Sequence, residues 1–183
     1  MKKTKTFRKK LQTKNSAAAS FGGACTPLTI SHTVEYLRLK DSDLNTINEL
    51  KMLFPNWERT SLLKKIKKTQ KGKDVRFVAK QGGVIIAHVK VAFGKGLHKH
   101  RAEMTSLTVF SPYRRRGIAT VLTTYALQNL PKKITLVTLA VDRKNKNAIK
   151  LYKKLGFAQF GLLKKASKIN GKFVDNVLMN KQL

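Results

Sequence analysis

The stretch EMTSLTVFSPYRRRGIATVLTTYALQNLP, Glu103 to Pro131, decides how this chain folds. Its first part, about Glu103 to Phe110, reads as a strand. Ile118, Val121, Leu122 and Tyr125 then recur at helical spacing until Pro131 stops the run. Between strand and helix stand three arginines and Gly117. A strand that enters a helix through a glycine turn leaves the first helical N–H groups free and aims the positive end of the helix dipole at one point. That point suits an anion. A side chain at Gly117 would block close approach of a phosphate, Ala119 is nearly as small, and Arg114, Arg115 and Arg116 add charged donors around it. Two kinds of anion fit this description: a nucleic-acid backbone and the phosphates of a small cofactor.

The surroundings extend the pattern. Downstream, ITLVTLAV at 134 to 141 is nearly continuous apolar sequence, as expected of a strand covered on both faces. Strand, helix and strand in this order predict a right-handed crossover and a parallel pair. A second helix follows over about Asn145 to Leu155, with Ala148, Leu151, Tyr152 and Leu155 inward and Gly156 at its end. The closing strands are expected at about Gln159 to Lys164 and Phe173 to Lys181. Upstream, VRFVAKQGGVIIAHVKVAF reads as a hairpin turning through Gln81, Gly82 and Gly83. TVEYLRL from Thr33 alternates as a half-buried strand, and two helices are expected between Asp41 and Thr69. The fold class is therefore α/β (α+β), a mixed and mostly antiparallel sheet with flanking helices.

Charge is the compositional outlier: 39 Lys and Arg face 9 Asp and Glu, a net +30. Such a surface attracts polyanions, so nucleic acid or ribosomes are expected neighbours, although a generally basic proteome gives the same composition. Residues 1 to 33 hold no acid and many lysines, and read as a flexible basic tail ahead of a domain at 34 to 183. The apolar stretch AAASFGGA is too weak for a signal peptide, an organellar transit peptide remains an alternative, and no run approaches the roughly 18 to 20 apolar residues of a membrane span. The single cysteine, Cys25, excludes an internal disulfide and fits a cytoplasmic protein. His98 and His100 alternate as a strand-borne metal pair would, but no carboxylate or thiolate supports them, and no metal is expected.

Arg114, Gly117 and Ala119 follow the spacing of a pyrophosphate loop in which Arg or Gln precedes Gly by three residues and Gly or Ala by five. With the preceding EMTSLTVF and the later NKNAIKLYKKLGF at 145 to 157, the chain resembles the GCN5-related N-acetyltransferase (GNAT) superfamily from about Val34 to its C-terminus. The resemblance implies a central sheet with a splayed parallel strand pair. It implies acetyl-coenzyme A as donor and a primary amine as acceptor, a protein lysine, a protein N-terminus or a small molecule. The backbone of Leu107, Thr108 and Val109 would pair with the pantetheine arm. Arg114, Arg115, Arg116, Gly117, Ile118, Ala119 and Thr120 would wrap the pyrophosphate, and Asn145 would meet the cofactor arm.

The chemistry then needs a base for the protonated amine, donors for the oxyanion and an acid for the leaving thiolate. By motif position Tyr152 is the candidate acid, against a plain role as a packed core tyrosine. Glu103 corresponds to the catalytic glutamate of the histone-acetylating branch, against a plain surface carboxylate; Asp142 is the reserve base, or the cap of the next helix. A backbone N–H near Val109 is the candidate oxyanion donor. In the similar bacterial ribosomal-protein alanine acetyltransferases a glutamate stands where this chain has Ala140, which counts against that substrate. The reading from another class is a basic nucleic-acid- or ribosome-associated protein that keeps the fold.

Overall fold

The computed structural model describes residues 7–10, 33–39 and 74–183. The two helices expected between Asp41 and Thr69, most of the basic tail, Cys25 and His32 lie outside the described residues. The described elements, in chain order, are strands β1 (Phe7–Lys10), β2 (Thr33–Arg38), β3 (Asp74–Gln81), β4 (Val84–Phe93) and β5 (Arg101–Val109), then helix α1 (Ile118–Gln128). Strand β6 (Leu136–Asp142), helix α2 (Lys146–Lys154), β7 (Ala158–Ile169) and β8 (Lys172–Gln182) complete them. They form one sheet in the order β1-β2-β3-β4-β5-β6-β8-β7. Every neighbouring pair is antiparallel except β5 and β6.

Alternation along the strands sets two unlike faces. Tyr36, Phe77, Val89, Met104, Val137 and Met179 are buried on one of them. α1 packs there because Ile118, Leu122, Tyr125 and Ala126 repeat at helical spacing; the Tyr125 ring meets Phe77 edge-on at 5.9 Å. α2 covers the same face further along, over the β6 and β8 residues Val141 and Val177. Its C-terminus is held by Gly156 (φ +84) and by the Lys181 ammonium, which donates to the Leu155 carbonyl. That cation also complements the negative end of the helix dipole, fixing the helix that carries Tyr152. The opposite face is more polar and carries Asp74, Arg76, His88, Lys90 and Glu103 in register across β3, β4 and β5.

Several expectations are revised. Phe7–Lys10, read as part of a flexible tail, pairs with Thr33–Tyr36 and adds an edge strand. β6 is not covered on both faces: Val137, Leu139 and Val141 are buried while Ala140 is exposed, because only one face carries helices among the described residues. The β3–β4 turn uses only Gly82 and Gly83, both at positive φ, and Gln81 stays in the strand opposite Val84. The last two strands reach much closer together than expected, turning through Asn170 and Gly171, also both at positive φ. His98 and His100 are not on a strand; both are exposed in the loop between β4 and β5.

His88 makes the fold pH-sensitive. Burial, aided by repulsion from the Arg76 guanidinium, pulls its pKa down to about 4 from the ordinary 6.5. The unfolded chain thus binds the extra proton first, and stability present above pH 6.5 is lost as pH falls toward 4. Urea unfolding at pH 7 and pH 5 should differ by about 2 kcal/mol from this group, and His88→Leu should flatten the difference. An equal difference in both proteins would remove His88 from the account.

Candidate active site

The parallel pair β5 and β6 is joined only at its start, through Arg101 with Leu136, Ala102 with Val137 and Glu103 with Thr138. Past Glu103 the strands separate, although β5 runs on to Val109 and β6 to Asp142. β6 keeps its other partner, pairing with β8 as far as Asp142 opposite Asn176. The cause of the parting lies in β5. Lys90 of β4 faces Thr105 but His88 faces Thr108, so β5 carries one extra residue, and Ser106 takes a left-handed φ of 51°. Such a bulge bends its strand and re-aims the residues beyond it. A wedge-shaped gap results, with the Thr105–Val109 backbone edge unpaired on the β6 side. The Thr138 hydroxyl donates to the Ala102 carbonyl at 3.5 Å and closes its root.

At the mouth of the gap Ser111–Tyr113 makes one tight helical turn, and the arginines follow. Gly117 precedes α1 at φ +74, where no side chain caps the helix and no acid stands in its first turn. Val121 N–H bonds back to the Gly117 carbonyl, and the N–H groups of 118 to 120 point beyond the helix end. A Cβ at Gly117 would meet no protein atom within 4 Å, so the space beside it is open to a ligand. No acidic residue occurs from 104 to 141. The turn therefore fits a pyrophosphate, which backbone N–H groups, the dipole and nearby guanidinium groups would hold.

The three arginines are not equivalent. Arg114 Nε donates to the Val109 carbonyl at 2.9 Å, tying the turn to the end of β5. Its terminal nitrogens have no partner among the described residues. Arg116 lies over the Tyr113 ring at 5.6 Å. Its charge also bears on the buried Tyr36, whose pKa burial pushes up to about 12 against the lowering pull of that guanidinium. Arg115, exposed and at φ 59°, has neither tie. Leu107, Thr108 and Val109 lie beyond the bulge on the parted strand, Ile118 is buried at the start of α1, and Ala119 and Thr120 complete its first turn.

Glu103 stands at the last paired position, on the face away from α1 and α2, and is exposed. Tyr152 stands on α2, 7% exposed, packed edge-on against Phe157 at 5.7 Å. Its hydroxyl has no hydrogen-bond partner among the described residues, and burial raises its pKa, so it remains a proton donor at neutral pH. The parted strands are the opening between the two faces, with Glu103 at its root. Asn145 caps α2, its Oδ1 accepting the Ala148 N–H at 3.0 Å. Asp142 does not cap that helix; it accepts the Lys144 N–H at 2.8 Å within the turn before it. Sequence reasoning missed Ser106 and the Arg114 tie. A serine gives no signal for positive φ, and the tie depends on where the turn folds back.

A sheet that opens between two parallel strands beside an uncapped helix N-terminus is the frame of a coenzyme A-dependent acyl transferase. Residues 44–157 match the Acetyltransferase (GNAT) family, and the chain belongs to it. The family uses acetyl-coenzyme A as co-substrate. The chain is 34% identical over 82 residues to N-alpha-acetyltransferase MAK3 of Arabidopsis thaliana, a match covering 44% of this chain and 43% of that protein. It thus spans less than half the length of that relative. Among solved structures, a GNAT-family acetyltransferase from Streptococcus pneumoniae superposes with a TM-score of 0.71 at 18% identity, over 82% of this chain and 99% of the other. The ribosomal-protein-alanine N-acetyltransferase of Brucella melitensis superposes at 0.66 with 19% identity, over 81% and 99%. These two likenesses concern the fold alone.

Proposed function

We propose that this chain, through a domain at residues 34–183, transfers an acetyl group from acetyl-coenzyme A directly to a primary amine. The observation that carries the reading is the gap between β5 and β6 opening beside the uncapped N-terminus of α1. The bound co-substrate would supply an activated thioester. Residues Arg114 to Thr120 bind its pyrophosphate, the Leu107–Val109 backbone pairs with its arm, and Asn145 holds the start of α2 beside it. Glu103 accepts the ammonium proton, directly or through water, so that the amine lone pair is free to attack. The backbone N–H near Val109 steadies the oxyanion, and the Tyr152 hydroxyl gives its proton to the departing sulfur.

We favour a protein amine, an N-terminus or a lysine, as acceptor. The partial match to an N-alpha-acetyltransferase supports a protein substrate. The exposed Ala140, which offers no carboxylate, argues against the ribosomal-protein alanine substrate. A screen of coenzyme A release from acetyl-coenzyme A, across peptides with free N-termini, lysine peptides and small amines, tests both parts. Release above background with a peptide is the expected result, and Glu103→Gln should slow it about 100-fold at neutral pH while recovering as pH rises. Failure to bind coenzyme A would overturn the reading; release only with small amines would overturn the choice of acceptor.

A further inference from the structure

On the α2 side of the sheet, at and beyond the end of β6, two adjoining hollows of about 390 and 310 Å³ share Arg143 and Lys146, and Asp142 lines the second. Together they make a trough between α2 and the β7–β8 hairpin. Ile149, Leu162 and Val177 line the first hollow, and Phe173 and Val174 carry apolar surface into the second. Much of this surface is unusually bare: Leu162 is 40% and Phe173 62% exposed. Cations stand along the rim, with Lys153 beside the first hollow and Lys144 beside the second. Neither Glu103, Tyr152 nor any residue of the arginine turn lines the trough.

The charges at this rim do not cancel. Asp175 lies 3.6 Å from Arg143 and accepts the Lys165 N–H, while Asp142 accepts the Lys144 N–H. These two carboxylates stand against four cations, Arg143, Lys144, Lys146 and Lys153, so the rim is net positive. Lys144, Lys146 and Lys153 have no carboxylate partner among the described residues. An apolar floor under unpaired cations is complementary to a ligand that alternates apolar groups with negative charge.

Three kinds of occupant offer negative charge or apolar surface. A second copy of this chain is disfavoured: β7, the edge strand, carries Lys164, Lys165 and Lys168 and no acid, so pairing it with itself would oppose lysines. Single-stranded RNA would need flat aromatic faces for its bases. The floor is instead largely aliphatic, and the Phe173 ring already carries the Lys168 ammonium at 5.5 Å. We propose that the trough between α2 and the β7–β8 hairpin docks an acidic amphipathic segment of a partner protein. Its leucine-like side chains rest on Ile149, Leu162 and Val177, and its carboxylates meet Lys146 and Lys153.

The test uses the full chain and fluorescence anisotropy at physiological ionic strength. The probes are a labelled peptide with Leu and Glu at amphipathic helical spacing, the same peptide with every Leu replaced by Ser, and an oligouridine of equal charge. The Leu/Glu peptide should bind about tenfold more tightly than either of the others. Lys146→Glu should weaken it about tenfold, Leu162→Ser should weaken it comparably, and Lys132→Glu, a reversal elsewhere on the exposed surface, should not. Glutamate at position 146 suits the first turn of α2, so that variant keeps the helix. Equal binding of the Ser/Glu peptide would overturn the proposal, as would equal loss in the Lys132 variant. Tighter oligouridine binding that Lys146→Glu abolishes would assign the trough to RNA instead.

Discussion

Replacing Gly117 by glutamate is expected to weaken coenzyme A binding by about 100-fold or more, measured by calorimetric titration of the purified chain. Two independent costs act at this position. The backbone sits at φ +74, which costs a residue with a Cβ about 1–2 kcal/mol; the free turn relieves that strain by shifting, and binding must restore it. The new carboxylate also stands at the positive end of α1, beside Arg114 to Arg116, where it competes with the pyrophosphate for the same donors and repels it. Together these are worth about 3 kcal/mol, or roughly two powers of ten in affinity. Gly117→Ala separates them. An alanine adds no charge, so that variant keeps the backbone strain and a Cβ in the ligand's space but not the repulsion, and should lose about tenfold. Unchanged affinity in the glutamate variant would remove the phosphate from this turn.

Tyr152→Phe should lower kcat about 100-fold while leaving the KM for acetyl-coenzyme A unchanged. The ring stays, and with it the edge-on contact to Phe157. The deleted hydroxyl has no hydrogen-bond partner among the described residues, so no orphaned group is left behind and the melting temperature should hold. Because burial raises the Tyr152 pKa, its ionisation lies above the ordinary value of 10. Loss of the donor should therefore not limit the rate of the native enzyme until strongly alkaline pH. A Tyr152→Phe protein with native kcat would make this residue a packed core tyrosine and nothing more.

How much of this was legible in the sequence depends on the distance over which each feature is encoded. The hairpin through Gly82 and Gly83, the helix opened by Gly117 and stopped before Pro131, and the helix ended by Gly156 are local. Their turn residues and apolar periods lie within one element and its neighbour. The turn before that helix was legible for the same reason: its residues, Arg114 to Gly117, are consecutive in the chain. The burial of β6 was not. ITLVTLAV reads as apolar throughout, yet whether its Ala140 side is covered depends on which elements lie over that face.

By itself, then, the sequence determined the order of strands and helices from Thr33 onward over the described residues, the glycine turn that opens the first helix, and a short list of candidate residues for the chemistry. Only the tertiary structure decided that β5 and β6 part after Glu103, because the bulge at Ser106 exists only in the register between β4 and β5. Only it tied Arg114 to Val109, put Asp142 and Asn145 into turn and cap bonds, and left Glu103 exposed on one face of the sheet while burying Tyr152 on a helix over the other. A local pattern of side chains specifies a backbone conformation. A gap between two strands is a relation among residues far apart in the chain, and pairing with a third strand makes it.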